Sequence, residues 1–412
     1  MCPVNCKGCD IAAQSKRDIA KKKEDRLKSF LLWFGVLTLF GAYIYGKVAH
    51  QIDYEHFFEK NLQTSSVTEL RDNVFDLSMS DTLKLKIQTA KNQGYGGPLE
   101  VGVVINRDST ILDVIVVEEK ETRSFLNKLV QQDFFEQYKG KSVLSSFVIN
   151  ADVDAISGAT VSSIGFNSAI KDAAHDYAKH TYNISGLAEI PEFNFGTSEA
   201  AVLGLMIWSI ALYYKRIKWL QYAMHLFSLV LIGFYLNLSL SITNFGSVLQ
   251  GYFPQIHDYL VWYILVIGVL LVAIVFGKNI YCYRICPFYA IQWLANKISG
   301  INLKLHSKQG KIAKYITGVL LWLSLLVGFL TATPSSGSFE PFATAFSFDG
   351  EGIQWFIFPA IFFSAFFIKD VFCRYYCPVG SFLKFLIIRI RKPIINQFKL
   401  WRNERKGRQV IS

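Results

Sequence analysis

Six apolar runs constrain this chain more than any other feature: 30–49, 200–214, 220–240, 257–277, 315–333 and 354–371. A bilayer's hydrocarbon core is about 30 Å thick and takes ~20 apolar residues in helical form. Only helices or closed barrels satisfy their own backbone there. The predicted fold class is therefore a membrane α-helical bundle of about six transmembrane helices, the run 200–214 being the shortest. The composition agrees, with 51% hydrophobic, 15% aromatic and 18% charged residues. Soluble domains carry roughly 25% charge, and a disordered or fibrous chain is excluded by the apolar content. A cleaved signal peptide competes for 30–49, but that run is long, starts late and lacks a small-x-small cleavage site, which favours a retained anchor.

The formal charge of +11 would suit a nucleic-acid binder, and its placement argues against one. Segments 1–29, 215–218, 277–314 and 372–412 carry 28 Lys and Arg against 5 Asp and Glu, a net of +23, and the rest of the chain is −12. Alternation of this kind encodes orientation, with basic loops inside. Both termini are expected in the cytoplasm of a bacterium, the protein in its inner membrane, and 50–199 outside. Aromatics such as Tyr213, Tyr214, Trp219 and Trp262 suit interface anchors. The basic tail 384–408 suits the anionic inner leaflet.

The predicted organisation is a cytoplasmic tail (1–29), a first span (30–49), an extracytoplasmic domain (50–199), five further spans (200–371) and a basic tail (372–412). In the outer domain, Val101-Gly102-Val103-Val104-Ile105 and Ile111-Leu112-Asp113-Val114-Ile115-Val116-Val117 predict a hairpin across Asn106-Arg107-Asp108-Ser109. Segments 123–138 and 163–180 read as helices, giving an α+β class.

An internal repeat carries the first chemistry. Ile280-Tyr281-Cys282-Tyr283-Arg284-Ile285-Cys286-Pro287 recurs as Val371-Phe372-Cys373-Arg374-Tyr375-Tyr376-Cys377-Pro378. Each copy follows a span of the same direction, so the two repeats run parallel. All seven cysteines fall in segments assigned to the reducing side, the reverse of a disulfide pattern. In Cys-x-x-x-Cys-Pro, residues four apart share a helix face. The proline drives the second cysteine out of the α region and opens the next helix at its first position. Free amides at that helix start favour an anionic thiolate cluster. Cys282, Cys286, Cys373 and Cys377 make four thiolates, enough for one iron–sulfur cluster, with 4Fe-4S favoured over 2Fe-2S. Zinc is the rival metal, and apolar filler is the bland alternative. Cys2, Cys6 and Cys9 have three-ligand spacing, which suits a second cluster or an adventitious site in a tail. The triplet also matches radical-SAM spacing, but no barrel surrounds it.

The sharpest motif is Asp154-Ala155-Ile156-Ser157-Gly158-Ala159-Thr160-Val161-Ser162-Ser163. It resembles the Asp-x-x-Ser/Thr-Gly-Ala-Thr element of FMN-binding domains, as in the flavin subunits of Rnf and sodium-pumping NADH:quinone oxidoreductase. The resemblance implies that Thr160 carries covalent FMN through a phosphoester, installed from FAD by a flavin transferase of the ApbE type. Gly94-Tyr95-Gly96-Gly97-Pro98-Leu99 resembles the domain's start, which brings in Gly96 and Pro98. Glu121-Thr122 resembles part of its Glu-Thr-Pro-Gly element, with Arg123-Ser124 replacing Pro-Gly. The chemistry fits: an ester needs a hydroxyl, Gly158 and Ala159 clear space, and Ser157, Ser162 and helix-start amides suit phosphate oxygens. Asp154 suits a transferase-associated cation, an N-cap or a turn. Taken alone, Ser-Gly-Ala-Thr is an ordinary turn before a helix.

Over roughly 90–390 the chain resembles NosR-type membrane proteins, and its membrane part also resembles NapH-type quinol-linked proteins. It departs from the NosR type at the C-terminus, which ends Trp401-Arg402-Asn403-Glu404-Arg405-Lys406 without ferredoxin-like cysteine runs. His225 and His257 fall at different depths, which suits satisfied polar residues better than haem ligands. The expected role is an electron-transfer (oxidoreductase) component carrying electrons between the cytoplasmic cluster and FMN outside, alone or in a larger complex. Expected partners are membrane lipid, the flavin transferase, a cytoplasmic donor (ferredoxin-like, flavoprotein or quinol) and an outer acceptor or partner subunits, without nucleic acid. A non-catalytic maturation factor for a partner metalloenzyme and a membrane redox sensor are the alternatives. The ~30 Å hydrocarbon core is long for a single tunnelling hop.

Overall fold

The structure is a computed structural model. It describes residues 7–62, 66–71, 73–80, 83–94, 97–121, 123–184, 195–215, 217–257, 259–303, 307–348, 352–395 and 397. It is rich in helix, with one sheet region. Helix α1 (Lys7–Ala49) leads into the short α2 (Tyr54–Leu62). An antiparallel five-stranded meander follows: β1 (Ser66–Arg71), β2 (Val74–Ser80), β3 (Leu83–Gln93), β4 (Pro98–Ile105) and β5 (Ile111–Glu119). The predicted hairpin is the β4–β5 pair, which runs from Leu99–Glu119 to Ile105–Ile111 with register shifts after Glu100 and after Val104.

Side chains alternate across a sheet, and both faces here are covered. Leu99, Val101, Val103 and Ile105 point to one face. There they meet α3 (Arg123–Gln131), a 3-10 turn (Phe134–Tyr138) and the long α4 (Thr160–Tyr182). Val104 and Val117 belong to the opposite core, with Phe58, Phe75, Leu77 and Ile87. Double coverage explains why β4 is buried along almost its whole length. Burying a side chain such as Phe166, fully enclosed on α4, contributes about 1.5–3 kcal/mol. Asn167 fixes the rotation of α4: its Oδ1 accepts from Tyr138 Oη at 2.8 Å, and its Nδ2 donates to the Phe147 carbonyl at 2.8 Å.

The second half is helical. Helices α5 (Thr197–Tyr214) and α6 (Lys218–Ser228) form a hairpin, and α6 continues as a π-helix (Leu229–Tyr235). Then come α7 (Ile242–Gln250), α8 (Leu260–Phe276), a π-turn (Tyr281–Ile285) and α9 (Pro287–Ser299). The chain closes with α10 (Ser307–Leu330), α11 (Phe342–Phe346), α12 (Gln354–Phe367), α13 (Val371–Tyr375) and α14 (Pro378–Phe385), which continues as a π-helix to Arg391. Among the described residues, two stretches are long and apolar enough to cross a membrane, Arg26–Ala49 and Thr197–Tyr214. Leu260–Phe276, Tyr315–Leu330 and Gln354–Phe367 are shorter apolar helices. The predicted run 220–240 is divided between α6 and its π-helical continuation.

The repeat extends well beyond the cysteine motifs. In each copy a long helix (α6 or α10) is followed by an irregular stretch, a short helix (α7 or α11), an apolar helix (α8 or α12), the cysteine segment and a helix opened by proline (α9 or α14). The irregular stretches meet at Glu340, whose carboxylate accepts the Ile242 amide at 2.9 Å and the Ser338 hydroxyl at 2.8 Å. That pairing starts α7 and satisfies a buried carboxylate, which would otherwise be costly. Arg391 donates to the Ile274 and Val275 carbonyls at 2.6 and 3.1 Å. A cation thus caps the C-terminal end of α8, where it complements the helix dipole.

The first cysteine motif packs into the helical half. After α8 the chain turns back beside α5 and α6. Arg284 donates to the Ser209 carbonyl at 3.0 Å, and its own carbonyl meets His225 Nδ1 at 3.2 Å. Ser228 donates to the Ile285 carbonyl. A Cβ on Gly233 would stand 3.2 Å from Pro287. Apolar length alone does not reveal such a return, because its backbone groups are satisfied by hydrogen bonds to neighbouring helices.

Candidate functional site: a flavin-acceptor cavity and a four-thiol centre

The acceptor turn is built by backbone rules. Gly158 has φ +78°, a conformation that L side chains avoid. Ala159 is the N-cap of α4 and Thr160 its first residue. Ser163 locks the turn by accepting the Ile156 amide at 3.0 Å and donating to the Ala159 carbonyl at 3.1 Å. Asp154 is therefore not the cap. It lies exposed upstream, its backbone held by Gln137 through paired amide contacts of 2.8 and 3.2 Å. Thr160 is exposed, and among the described residues its hydroxyl reaches only the Ile156 carbonyl, at 3.5 Å.

A cavity of about 210 Å³ lies against this turn. Ser157, Gly158, Ala159, Thr160, Val161 and Ser162 form one wall with Phe125, and residues 234–238 of the helical half form the other. Lys128 brings its ammonium to 2.8 Å from where a Cβ on Gly158 would stand. A cation beside Gly158, with the amides of a helix start, is the donor set a phosphate needs. Pro98 opens β4 and does not line the cavity. The Gly94 amide donates to the Gly97 carbonyl at 2.8 Å, closing the β3–β4 turn. Gly96 lies outside the described residues.

Three contacts seat the acceptor domain on the helices. Tyr259 Oη donates to the Val161 carbonyl at 3.0 Å, Lys120 Nζ donates to Tyr252 Oη at 3.2 Å, and Ser335 Oγ donates to the Glu121 carbonyl at 3.0 Å. Gly165 is required here, since a Cβ would come within 2.8 Å of Tyr259 Oη. Tyr259→Phe keeps the ring and removes one hydrogen bond, worth about 1 kcal/mol. Amide hydrogen exchange over residues 159–165 is expected to quicken about fivefold, as that energy converts; an unchanged rate would show that Tyr259 does not hold the turn.

The four cysteines form the second centre. The proline effect is visible in both motifs: Cys286 and Cys377 are the N-caps of α9 and α14, with ψ 119° and 116°. Each closes a π-type turn, Cys286 N–H donating to Tyr281 O and Cys377 N–H to Phe372 O, both at 2.9 Å. The turn is thus one residue wider than the α-helical spacing expected. The repeats also exchange contacts. Gln292 of α9 donates to Cys373 Sγ at 3.1 Å and accepts the Phe372 amide at 2.9 Å. Gly380 of α14 approaches Cys282 Sγ, its amide donating to Cys377 Sγ at 3.5 Å. Cys373 lies within electrostatic reach of Cys282, Cys286 and Cys377. All four are free thiols, three of them buried.

Among the described residues no three Cys, His, Asp or Glu side chains converge as a single metal ion requires. Zinc would draw four sulfurs to ~2.3 Å from one point. A 4Fe-4S cluster would take one thiolate at each of its four irons. Cys2 and Cys6 lie outside the described residues, as does the side chain of Cys9. His225 is buried, bonded to Arg284 and packed on Tyr289 and Trp293 at 5.4 and 5.2 Å between ring centroids. It is a satisfied polar residue, as expected. Tyr259, Lys128, Gln137 and 234–238 had no sequence signal, because spatial approach alone gives them a role.

An α+β domain with a cavity at a helix start, seated on a two-repeat helical region with paired cysteine motifs, points to a class of electron-transfer protein. Residues 94–175 match the family model described as an FMN-binding domain, and residues 260–306 and 355–395 match that of a 4Fe-4S binding domain. The latter two segments are the two halves of the repeat. The chain is 27% identical over 187 residues to the regulatory protein NosR of Stutzerimonas stutzeri, covering 40% of this chain and 25% of that one. Against NosR of Pseudomonas aeruginosa it is 27% identical over 176 residues, 38% and 24% of the two chains. One subunit of the proton-translocating ferredoxin:NAD(+) oxidoreductase complex of Clostridium ljungdahlii is 26% identical over 97 residues, 22% and 52%. The chain thus spans about a quarter of the NosR relatives. It is similar to NosR-type FMN-binding electron-transfer proteins.

Proposed function

We propose that this chain transfers electrons across a bacterial inner membrane, between an iron–sulfur cluster on Cys282, Cys286, Cys373 and Cys377 and FMN esterified to Thr160. One observation carries the reading: a single segment serves both centres. Residues 234–238 wall the acceptor cavity. Their neighbour Gly233 packs on Pro287, directly after Cys286, and Leu240 N–H donates to Tyr281 Oη at 3.0 Å, directly before Cys282. One continuous segment thus links the cavity wall to the first cysteine motif.

The residues fit both groups. The acceptor turn offers a hydroxyl for the ester, and Lys128 with the start of α4 supplies positive charge for the phosphate. Bound FMN supplies one- and two-electron chemistry. The chain's own task is to hold, orient and shield: Ser163 and Gln137 fix the turn, Tyr259 and Ser335 fix the domain, and Gln292 orients Cys373. The remaining expectations belong to the same proposal: six spans, cytoplasmic termini, an outer flavin domain, an ApbE-type transferase, a ferredoxin-like, flavoprotein or quinol donor, and an outer acceptor. Flash photoreduction of the flavin in the purified chain tests the exchange. Flavin reoxidation is expected to match cluster bleaching, at a rate independent of protein concentration. A rate proportional to concentration would overturn the proposal.

The NosR relatives are described as regulatory, which favours a second reading in which the same exchange serves maturation or sensing. Steady turnover between a donor and an outer acceptor supports electron supply; a single exchange without turnover supports regulation.

A further inference from the structure

We propose that Tyr235, which belongs to the helical half and lies outside the matched FMN-binding domain, completes the flavin site. Its ring packs on the isoalloxazine of FMN held at Thr160. This rests on the reading that Thr160 carries FMN.

Three aromatics line the cavity, and two are occupied. Phe125 is 9% exposed in the domain core. Phe234 meets Phe346 edge to face, with centroids 5.6 Å apart. Tyr235 is 73% exposed, and its side chain makes no hydrogen bond or ring contact among the described residues. It nonetheless stands on a fixed backbone. The π-helix ends at Tyr235, with Leu236 N–H bonded to Leu231 O at 2.9 Å and Leu238 N–H to Ile232 O at 3.0 Å. Asn237, two residues on, has φ +50° and is tied through its side chain to Ser347. Widened π turns recur where a helix serves a site. A large planar side chain without a partner, on a pinned backbone beside a cavity that adjoins the acceptor hydroxyl, is suited to an aromatic ligand that prefers offset or edge contacts. The cavity thereby has one wall from each half of the protein, and the flavin would report on their docking.

The test uses the full chain in detergent after co-expression with the transferase. Fluorescence of the band on a denaturing gel reads attachment, and flavin emission of the native protein reads packing of the ring, since stacked aromatic residues quench it. Tyr235→Ala and Tyr235→Leu are expected to leave the gel band unchanged and raise native emission severalfold. Tyr235→Phe and Tyr235→Trp are expected to keep it quenched. Tyr214→Ala, which removes an exposed aromatic that does not line the cavity, is expected to change neither. Unchanged native emission in Tyr235→Ala and Tyr235→Leu, with the band intact, would overturn the inference and make Tyr235 an interface anchor only. A wild-type band without fluorescence would instead overturn the Thr160 reading and this inference with it.

Discussion

Thr160→Val is expected to abolish covalent flavin while leaving the fold intact. Valine has threonine's branched shape without the oxygen, so the phosphoester cannot form. The site makes the experiment clean. Thr160 is exposed at the first position of α4, and among the described residues its hydroxyl has only a long contact to the Ile156 carbonyl. The turn itself is held by Ser163 and by the left-handed Gly158. Exposed substitutions of this kind change stability by roughly 0.5 kcal/mol or less. Denaturing-gel fluorescence should fall to background, with circular dichroism and the thermal midpoint near wild type. Thr160→Ser keeps a hydroxyl and is expected to retain a measurable fraction of the label. A fluorescent band in Thr160→Val would place the ester elsewhere and sink the assignment.

The acceptor turn and the cysteine motifs were legible because their chemistry is local. Gly158, Ala159 and Thr160 are adjacent, and the pre-proline effect at Cys286 and Cys377 acts within one residue. The β-branched runs and the turn signal at Asn106-Arg107-Asp108-Ser109 likewise exposed the β4–β5 hairpin. The return of the cysteine segments was not legible. It depends on Arg284 reaching Ser209 and on Ser228 reaching Ile285, pairings 57–75 residues apart, which no periodicity encodes. Span 220–240 reads as one apolar helix, because hydropathy is blind to the change to a π-helix at Leu229. Glu340 gave no signal either: a single carboxylate in an apolar stretch acquires its role only when the Ile242 amide is brought to it. Charge patterning indicated which segments are basic, whereas the packing of the first cysteine motif depends on tertiary hydrogen bonds.

The paired cysteine motifs carry the second large effect. Cys286→Ser and Cys377→Ser are each expected to remove the whole iron complement of the bundle centre, about four irons if a 4Fe-4S cluster is bound. The two residues occupy equivalent N-cap positions in the two repeats, with matching turns and matching ψ values. Their repeats are interlocked through Gln292 and Gly380. A cluster shared across that interface loses its seat when either repeat withdraws a thiolate. Two independent sites would each lose only their own metal. Iron analysis with visible absorption distinguishes these outcomes. Equal loss in both variants, with flavin still attached at Thr160, supports one shared centre and leaves the acceptor domain as an internal control for folding. Loss in one variant alone would assign the motifs to separate sites, and the segment 233–240 would then serve only the Cys282 and Cys286 side. Replacing Cys2, Cys6 and Cys9 together should leave this centre's iron unchanged, because a fourth ligand from the tail is unnecessary once Cys282, Cys286, Cys373 and Cys377 act as a set.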